Sequence, residues 1–176
     1  MKILVTGKPR AGKTTLIKRI YEELKNKIPS NGFFTAEIKE KGERKGFFIE
    51  NFGGERKIFA HINFETNLKV GRYGVDINAL EEIGVPEIIK AIENKTLLII
   101  DEIGKMELFS EKFKNAIEKA FNSEINIVAT ISISPHPFIK KIKERKDVKI
   151  YEITEDKREY IFKKIKDICL KELIKR

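Results

Sequence analysis

Residues 7–14 read GKPRAGKT and match the pattern G-x-x-x-x-G-K-[ST], in which a backbone loop wraps around phosphate groups. Gly7 and Gly12 lack a Cβ atom, so the chain can turn tightly and point consecutive N–H groups at an anion. Lys13 would place a mobile positive charge beside the terminal phosphates of a nucleotide, and the hydroxyl of Thr14 could bind Mg²⁺. The residues expected to contact the nucleotide phosphates are Gly7, Lys8, Pro9, Arg10, Ala11, Gly12, Lys13, Thr14 and Thr15.

The neighbours of this loop have the pattern of a strand followed by a helix. The apolar residues Ile3 to Val5 precede it, and apolar residues recur after it with the spacing of one helix face. The residues with this helical period are Ile17, Ile20, Leu24 and Ile28. Strand, glycine loop and helix in this order favour a phosphate site over an ordinary turn.

A second candidate site follows the apolar strand pattern of residues 96–100, where Asp101 and Glu102 stand in tandem. Such a strand is typically covered on both faces, and open α/β sheets bind ligands at the carboxyl ends of their strands. We expect Asp101 to hold Mg²⁺ together with Thr14, and Glu102 to orient or deprotonate a water molecule. A solvated turn is the alternative for two adjacent acids, and the phosphate loop favours the metal site.

Two cations could stabilise charge in a phosphoryl-transfer transition state. Arg72 lies in a glycine-punctuated stretch, residues 70–76, and Lys105 lies in the loop after Glu102. Loops of this kind often complete active sites, so both are candidate catalytic residues. A solvent-facing arginine explains the spacing around Arg72 equally well. His61 has no carboxylate or second histidine near it in sequence, and we interpret it as structural.

The order of strand and helix patterns predicts an α/β fold in a single domain, residues 1–176. Residues 29–32, which read PSNG, predict a stop and turn after the first helix. Residues 33–62 predict an antiparallel meander inserted before the central sheet, with its aromatic face against the body of the domain. Later elements are expected at residues 87–94 (a helix after Pro86), 110–121 (a helix capped by Ser110), 125–130 (a strand), 139–145 (a short helix), 148–153 (a strand) and from Thr154 onward (a long helix).

Composition narrows the class of protein. A single cysteine, Cys169, and two histidines without metal-ligand spacing exclude a disulfide framework and a zinc site. No apolar run approaches the roughly 20 residues that span a bilayer and no signal-type segment occurs, so we expect a cytoplasmic monomer without membrane contact. Charged residues make up 36% of the chain, which is typical of thermophile proteins. The net charge of +9 suggests nucleic acid as a possible binding partner. Because the lysines are dispersed along the chain and no RNA-binding signature occurs, we rank nucleic acid below nucleotides as the ligand.

Four stretches of the chain together resemble a known family. They are residues 7–14 (GKPRAGKT), 70–76 (VGRYGVD), 101–108 (DEIGKMEL) and 145–148 (RKDV). Over nearly its whole length the chain resembles the small P-loop nucleoside triphosphatases, whose vertebrate members are called cancer-related nucleoside triphosphatases. The resemblance implies a Mg²⁺-dependent hydrolase of several nucleoside triphosphates. It also implies a fold close to that of nucleotide kinases, a three-layer P-loop NTPase sandwich with a mostly parallel central sheet.

Lys8 and Arg10 depart from the family's loop, which more often reads glycine, two prolines and a further glycine. Two extra cations could raise nucleotide affinity or stabilise leaving-group charge. They could equally face solvent, and the residues alone do not decide between these roles.

The predicted reaction is Mg²⁺-dependent hydrolysis of ATP, GTP, CTP or UTP to the diphosphate and phosphate. No N-K-x-D element that would read guanine is present, so we expect weak base selectivity, with loose contacts from residues 154–158. A nucleotide or polynucleotide kinase needs the same phosphate site and is the first alternative. An RNA-binding protein switched by nucleoside triphosphates is the second.

Overall fold

The computed structural model describes residues 1–174. Their strands form one nine-stranded sheet in the order β5-β6-β4-β3-β2-β7-β8-β1-β9. The strands are β1 Lys2–Thr6, β2 Ser30–Glu40, β3 Glu43–Asn51, β4 Arg56–His61, β5 Lys69–Val70, β6 Tyr73–Val75, β7 Leu97–Ile103, β8 Ile127–Ile131 and β9 Lys149–Glu152. The helices are α1 Lys13–Leu24, α2 Ile77–Ile83, α3 Val85–Asn94, α4 Glu111–Phe121, α5 Pro137–Lys143 and α6 Arg158–Leu173.

The central part of the sheet is parallel and lies between two layers of helices. Strands β2, β7, β8, β1 and β9 pair in parallel, and the apolar residues of β7 and β8 are buried because helices cover both faces. Helices α1 and α6 pack on one face, where Ile20 and Ile165 belong to the same buried core. Helices α2 to α5 pack on the other, around Phe113 and Ile117. The α/β class and the mostly parallel central strands are confirmed.

Strand β2 joins the parallel and antiparallel parts of the sheet. It pairs in parallel with β7 on one side and antiparallel with β3 on the other. The predicted turn at residues 29–32 is wrong in part, because β2 already begins at Ser30. Gly32 is buried in this strand, where its missing side chain lets the backbones of β2 and β7 approach closely.

The antiparallel meander extends the sheet edge to edge. We expected residues 33–62 to lie with an aromatic face against the body of the domain, and Phe33 and Phe59 are buried in its core. Strands β2, β3 and β4 also continue the central sheet through main-chain hydrogen bonds. The pairing of β2 with β7 ends at Phe33 and Ile100, whereas β2 runs on to Glu40. The β2–β3 hairpin therefore projects past the carboxyl end of β7 and stands as a wall beside it.

Several shorter elements differ from the predicted ones. The glycine-punctuated stretch at residues 70–76, expected as a loop, contains most of the β5–β6 hairpin, and its last residue, Asp76, caps the first turn of α2. The Ser110 cap is confirmed, since its Oγ accepts a hydrogen bond from the Phe113 N–H at 3.1 Å. Thr154 does not cap the last helix, because a 3₁₀ turn at Glu155–Lys157 precedes α6. Within residues 1–174, no helix is both long and apolar enough to cross a bilayer.

Candidate active site

The phosphate loop connects the carboxyl end of β1 to the first turn of α1. Gly12, the residue before α1, has φ +103°, a conformation that side chains disfavour. A Cβ at this position would also lie 2.8 Å from Nε of Arg158. Gly12 therefore favours the turn of the loop, and its missing side chain leaves room for Arg158.

Lys13 spans the loop from the base of α1. Its Nζ donates a hydrogen bond to the Gly7 carbonyl at 2.8 Å and lies 3.7 Å from Oε2 of Glu102. The phosphate loop and the end of β7 are thus joined by one lysine. If a triphosphate bound in the loop, the ammonium group of Lys13 would already be held at the centre of the loop.

Asp101 is buried at the end of β7, with 2% of its surface exposed. Its oxygens accept hydrogen bonds from Oγ1 of Thr130 at 2.8 Å and from Oγ1 of Thr35 at 3.3 Å. Burial raises the pKa of Asp101, and the nearby hydroxyls of Thr130 and Thr14 oppose this.

The residues around Asp101 fit a hard divalent cation. A desolvated carboxylate beside the Thr14 hydroxyl offers oxygen ligands, which Mg²⁺ prefers. No cluster of three or more histidine, cysteine, aspartate or glutamate side chains suited to a metal occurs within residues 1–174. A cation here would therefore take its remaining ligands from phosphate oxygens and water, as Mg²⁺ commonly does at nucleotide sites.

Glu102 follows at the same edge and is half-buried, with its side chain 32% exposed. Burial raises the pKa of this carboxyl, and the negative charge of Asp101 raises it further, whereas Lys13 opposes the shift. A carboxylate with a raised pKa binds a proton more readily. Glu102 is therefore suited to accept a proton from water.

Glu107 is a buried acid that the sequence reasoning left without a role. Its Oε1 accepts a hydrogen bond from the Gly104 N–H at 2.9 Å, and only 5% of its surface is exposed. Burial raises the pKa of Glu107 well above its usual value, and the charges of Glu102 and Asp101 add to this. The side chain fixes the loop after β7 from within, and no spacing rule in the sequence identifies that contact.

The phosphate loop, Asp101 and Glu102 open into one cleft of about 690 Å³. Its floor is the phosphate loop with Asp101 and Glu102, and one wall is the β2–β3 hairpin. The lining residues are Pro9, Arg10, Gly12, Lys13, Thr14, Thr15, Leu16, Lys18, Arg19, Thr35, Ala36, Glu37, Arg44, Phe47, Asp101, Glu102, Ser132, Ile133 and Arg158.

Comparison with known proteins identifies the family. A family model described as an NTPase matches residues 2–166. The nucleoside-triphosphatase THEP1 of Thermotoga sp. (strain RQ2) is 48% identical over 165 residues, covering 94% of this chain and 93% of that protein. The chain belongs to this NTPase family.

Solved structures agree with this assignment. The crystal structure of THEP1 from the hyperthermophile Aquifex aeolicus has a TM-score of 0.88 at 37% identity and covers 100% of both chains. The solution structure of a human cancer-related nucleoside triphosphatase has a TM-score of 0.84 at 32% identity and covers 97% of both. The predicted family and the predicted class of enzyme, a nucleoside-triphosphatase, are confirmed.

The cleft contains most of the predicted site residues of this NTPase. Thr14, Asp101, Glu102 and Lys13 meet there, together with Pro9, Arg10, Gly12 and Thr15. The remaining loop residues, Gly7, Lys8 and Ala11, are not among the lining residues, although Gly7 and Ala11 bond through their carbonyls to Lys13 and Arg158. Lys8 is exposed.

Arg72 and Lys105 are placed outside the cleft. Lys105 is an exposed residue of the loop after β7. Arg72 lies in the β5–β6 turn, where it donates hydrogen bonds to Oε1 of Glu43 at 3.0 Å and to the Arg44 carbonyl at 2.6 Å. Neither side chain lines the cleft in the part of the chain that the structure describes.

The cleft also contains cations that the sequence reasoning missed. Lys18 and Arg19 come from α1, and Arg44 comes from the hairpin wall. Arg158, in the segment expected near the base, donates from Nε to the Ala11 carbonyl at 2.8 Å. The helical period after Gly12 could have pointed to Lys18 and Arg19, but the position of Arg44 depends on hairpin register.

Proposed function

We propose that the protein hydrolyses the bond between the β- and γ-phosphates of several nucleoside triphosphates in a Mg²⁺-dependent reaction. The observation that carries this proposal is the half-buried carboxylate of Glu102, 3.7 Å from the lysine of the phosphate loop. Binding a nucleotide needs only the loop and a cation. A basic carboxylate beside them is what hydrolysis requires in addition.

In this reaction the oxygen of a water molecule forms a bond to the γ-phosphorus. The bond from the γ-phosphorus to the bridging oxygen breaks, and the diphosphate keeps the electron pair. Glu102 accepts the proton that the water loses and later releases it to solvent. Lys13 and the N–H groups of the phosphate loop balance the charge on the β- and γ-phosphate oxygens.

Thr14 and Asp101 would hold Mg²⁺, which when bound withdraws charge from the phosphate oxygens. The burial of Asp101 supports this role, because a carboxylate removed from water is stabilised by a nearby cation. Thr130 and Thr35 donate hydrogen bonds to the two oxygens of Asp101 and so fix its orientation.

Weak base selectivity is part of the proposal. The lining of the cleft includes an exposed apolar residue, Ile133, and the planar guanidinium of Arg158. Such groups pack on any base, because every base has an apolar face, and they do not read the pattern of donors and acceptors on its edge. We therefore expect ATP, GTP, CTP and UTP to be hydrolysed at rates within about tenfold of one another.

The test is phosphate release from each of the four nucleotides with Mg²⁺ or with EDTA, comparing the wild-type chain with Glu102→Gln. The amide keeps the shape of the side chain but cannot accept a proton, so turnover should fall by about 10²–10⁴-fold while nucleotide binding remains. A matched control is Glu124→Gln, since Glu124 is exposed at the amino end of β8, away from the cleft.

Two results would overturn parts of the proposal. Near-normal turnover in Glu102→Gln removes Glu102 as the base. Transfer of the labelled γ-phosphate to an added nucleoside monophosphate or polynucleotide, with no release to water, supports a kinase instead.

A further inference from the structure

We infer that Arg44, on the wall of the cleft, is the cation that contacts the transferred γ-phosphoryl group, in the role that the sequence had suggested for Arg72 or Lys105. The inference rests on the proposed hydrolysis and extends it by naming a further catalytic residue. Arg44 is the cleft-lining cation contributed by the β2–β3 hairpin.

Hydrogen bonds and an aromatic ring on one side hold the guanidinium of Arg44 in place. Its Nε donates to the hydroxyl of Tyr73 at 3.0 Å, and its Nη1 donates to Oε1 of Glu37 at 3.3 Å. The aromatic ring of Phe47 lies 5.2 Å from its Cζ. Nη2 has no hydrogen-bond partner within residues 1–174, so two N–H groups on a fixed plane stay available for an anion.

Arg44 lies along the hairpin where a residue could contact the terminal phosphate of a nucleotide bound in the loop. Thr35 of β2 contacts Asp101, and Glu37 is two residues farther along the same strand, a distance of about 7 Å. The Arg44 guanidinium bonds to Glu37, so it lies beyond the metal-binding carboxylate. Arg44 and Asp101 line the same cleft, which is where a phosphoryl group with its cation would lie.

The other arginines of the cleft either have hydrogen-bond partners elsewhere or have no contact that fixes their position. Arg19 donates to Glu159 at 2.6 Å and lies 3.9 Å from the ring of Phe162. Arg158 donates to main-chain carbonyls of the phosphate loop. Arg10 is exposed and has no side-chain hydrogen bond within residues 1–174 to fix its position.

Arg72 then becomes a positioning residue. Its Nη2 donates to the main-chain carbonyl of Arg44 at 2.6 Å, and its Nη1 donates to Glu43, the residue before Arg44. Desolvation raises the pKa of Tyr73, but hydrogen bonds from Arg44 and Arg72 outweigh it, so the phenol pKa is lowered. The phenol of Tyr73 accepts a charge-assisted hydrogen bond from Arg44, and the guanidinium of Arg72 lies 5.4 Å from the centre of the Tyr73 ring.

The test compares steady-state kinetics of the wild-type chain, Arg44→Ala, Arg44→Lys and a control, Arg56→Ala. We expect Arg44→Ala to lower kcat by about 10²–10³-fold and to change KM by less than about tenfold, because the contact forms mainly in the transition state. Lysine keeps the charge without the planar pair of donors and should restore only part of the rate. Arg56 is exposed on the neighbouring strand, against Phe48 and Glu50, and its removal should leave kcat unchanged.

Chemical rescue separates a catalytic role from a structural one. Guanidinium ion added at concentrations below those that unfold the chain should raise the turnover of Arg44→Ala and leave that of Arg56→Ala unchanged. The double variant Arg44→Ala with Arg72→Ala should be no slower than Arg44→Ala alone, because Arg72 acts through Arg44.

A kcat of Arg44→Ala within about threefold of wild type would overturn the inference, and so would a large loss that guanidinium does not rescue. If the wild-type chain turns over no triphosphate, the proposed function fails. The contact between Arg44 and the γ-phosphate is then tested by measuring nucleotide affinity. A loss of affinity for a non-hydrolysable triphosphate that exceeds the loss for the diphosphate in Arg44→Ala supports γ-phosphate contact. Equal losses refute it.

Discussion

A substitution at Gly32 tests how the sheet positions the active site, because Gly32 lies where β2 pairs with β7. A methyl group at this position would lie 2.8 Å from the carbonyl carbon of Ile99, closer still to its oxygen, and 3.0 Å from Cζ of Phe52. Ordinary van der Waals contact begins at about 3.4 Å, and a main-chain carbonyl cannot rotate out of the way. Gly32→Ala therefore forces β2 and β7 apart.

The cost of this separation follows from the contacts at the junction. Residues 30–33 of β2 pair with residues 97–100 of β7, and Gly32 is paired with Ile99 near the middle. Overpacking in a buried site costs about 1–3 kcal/mol, and each weakened main-chain hydrogen bond costs about 0.5–1.5 kcal/mol. With one or two bonds weakened, we expect Gly32→Ala to lower the free energy of unfolding by about 1.5–6 kcal/mol.

The assay is urea unfolding monitored by circular dichroism, with Gly53→Ala as the matched control. Gly53 is exposed, and a methyl group there would meet only Oδ1 of Asn51 at 3.5 Å. That variant should differ from wild type by less than about 1 kcal/mol. A loss below about 1 kcal/mol for Gly32→Ala would refute the close approach of the two strands. Turnover should fall as well, because β2 positions Thr35 against Asp101.

Two further predictions concern the loop after β7 and the helix that follows it. The folded-state pKa of Glu107 lies above that of the unfolded chain, so folding binds a proton and this group's contribution to stability falls as pH rises above about 4.5. Relative to wild type, Glu107→Gln should therefore gain stability between pH 5 and pH 8 in nucleotide-free urea unfolding, and an unchanged difference would contradict the burial of the carboxyl. Ser110→Ala removes the cap that accepts from the Phe113 N–H and should lower the free energy of unfolding by about 1 kcal/mol, whereas a loss below about 0.3 kcal/mol would show that the cap contributes little.

The sequence predicted the parts of the site that depend on short segments. The glycine spacing before Lys13 sets the phosphate loop locally, and the apolar run before Asp101 sets a buried strand whose end must lie at the carboxyl edge of the sheet. Parallel strands bring both to the same edge, so their proximity follows once the fold class is known. The 3.7 Å separation between Lys13 and Glu102 agrees with that reasoning.

The parts that the sequence did not predict depend on contacts between distant segments. Residues 29–32 have the composition of a turn, yet tertiary pairing places Ser30 to Gly32 in β2, because hydrogen bonds to β7 outweigh local preference. The meander was recognised as antiparallel, but its attachment to β7 depends on which strand edge is open. Periodicity along one segment contains no information about that partner.

The 70–76 stretch does not line the cleft, but it contacts Arg44, which does, and we expect it to act on the cleft through that residue. Arg72 holds the main chain of Arg44, Tyr73 accepts a hydrogen bond from its guanidinium, and Asp76 caps the helix that packs beneath the hairpin. These residues form a support behind the wall of the cleft. Because the support acts on the position of Arg44, its loss should lower turnover more than it weakens binding of the diphosphate product. Arg72 was selected in the sequence for its charge, and we expect its effect on turnover to come from the position that it gives to Arg44.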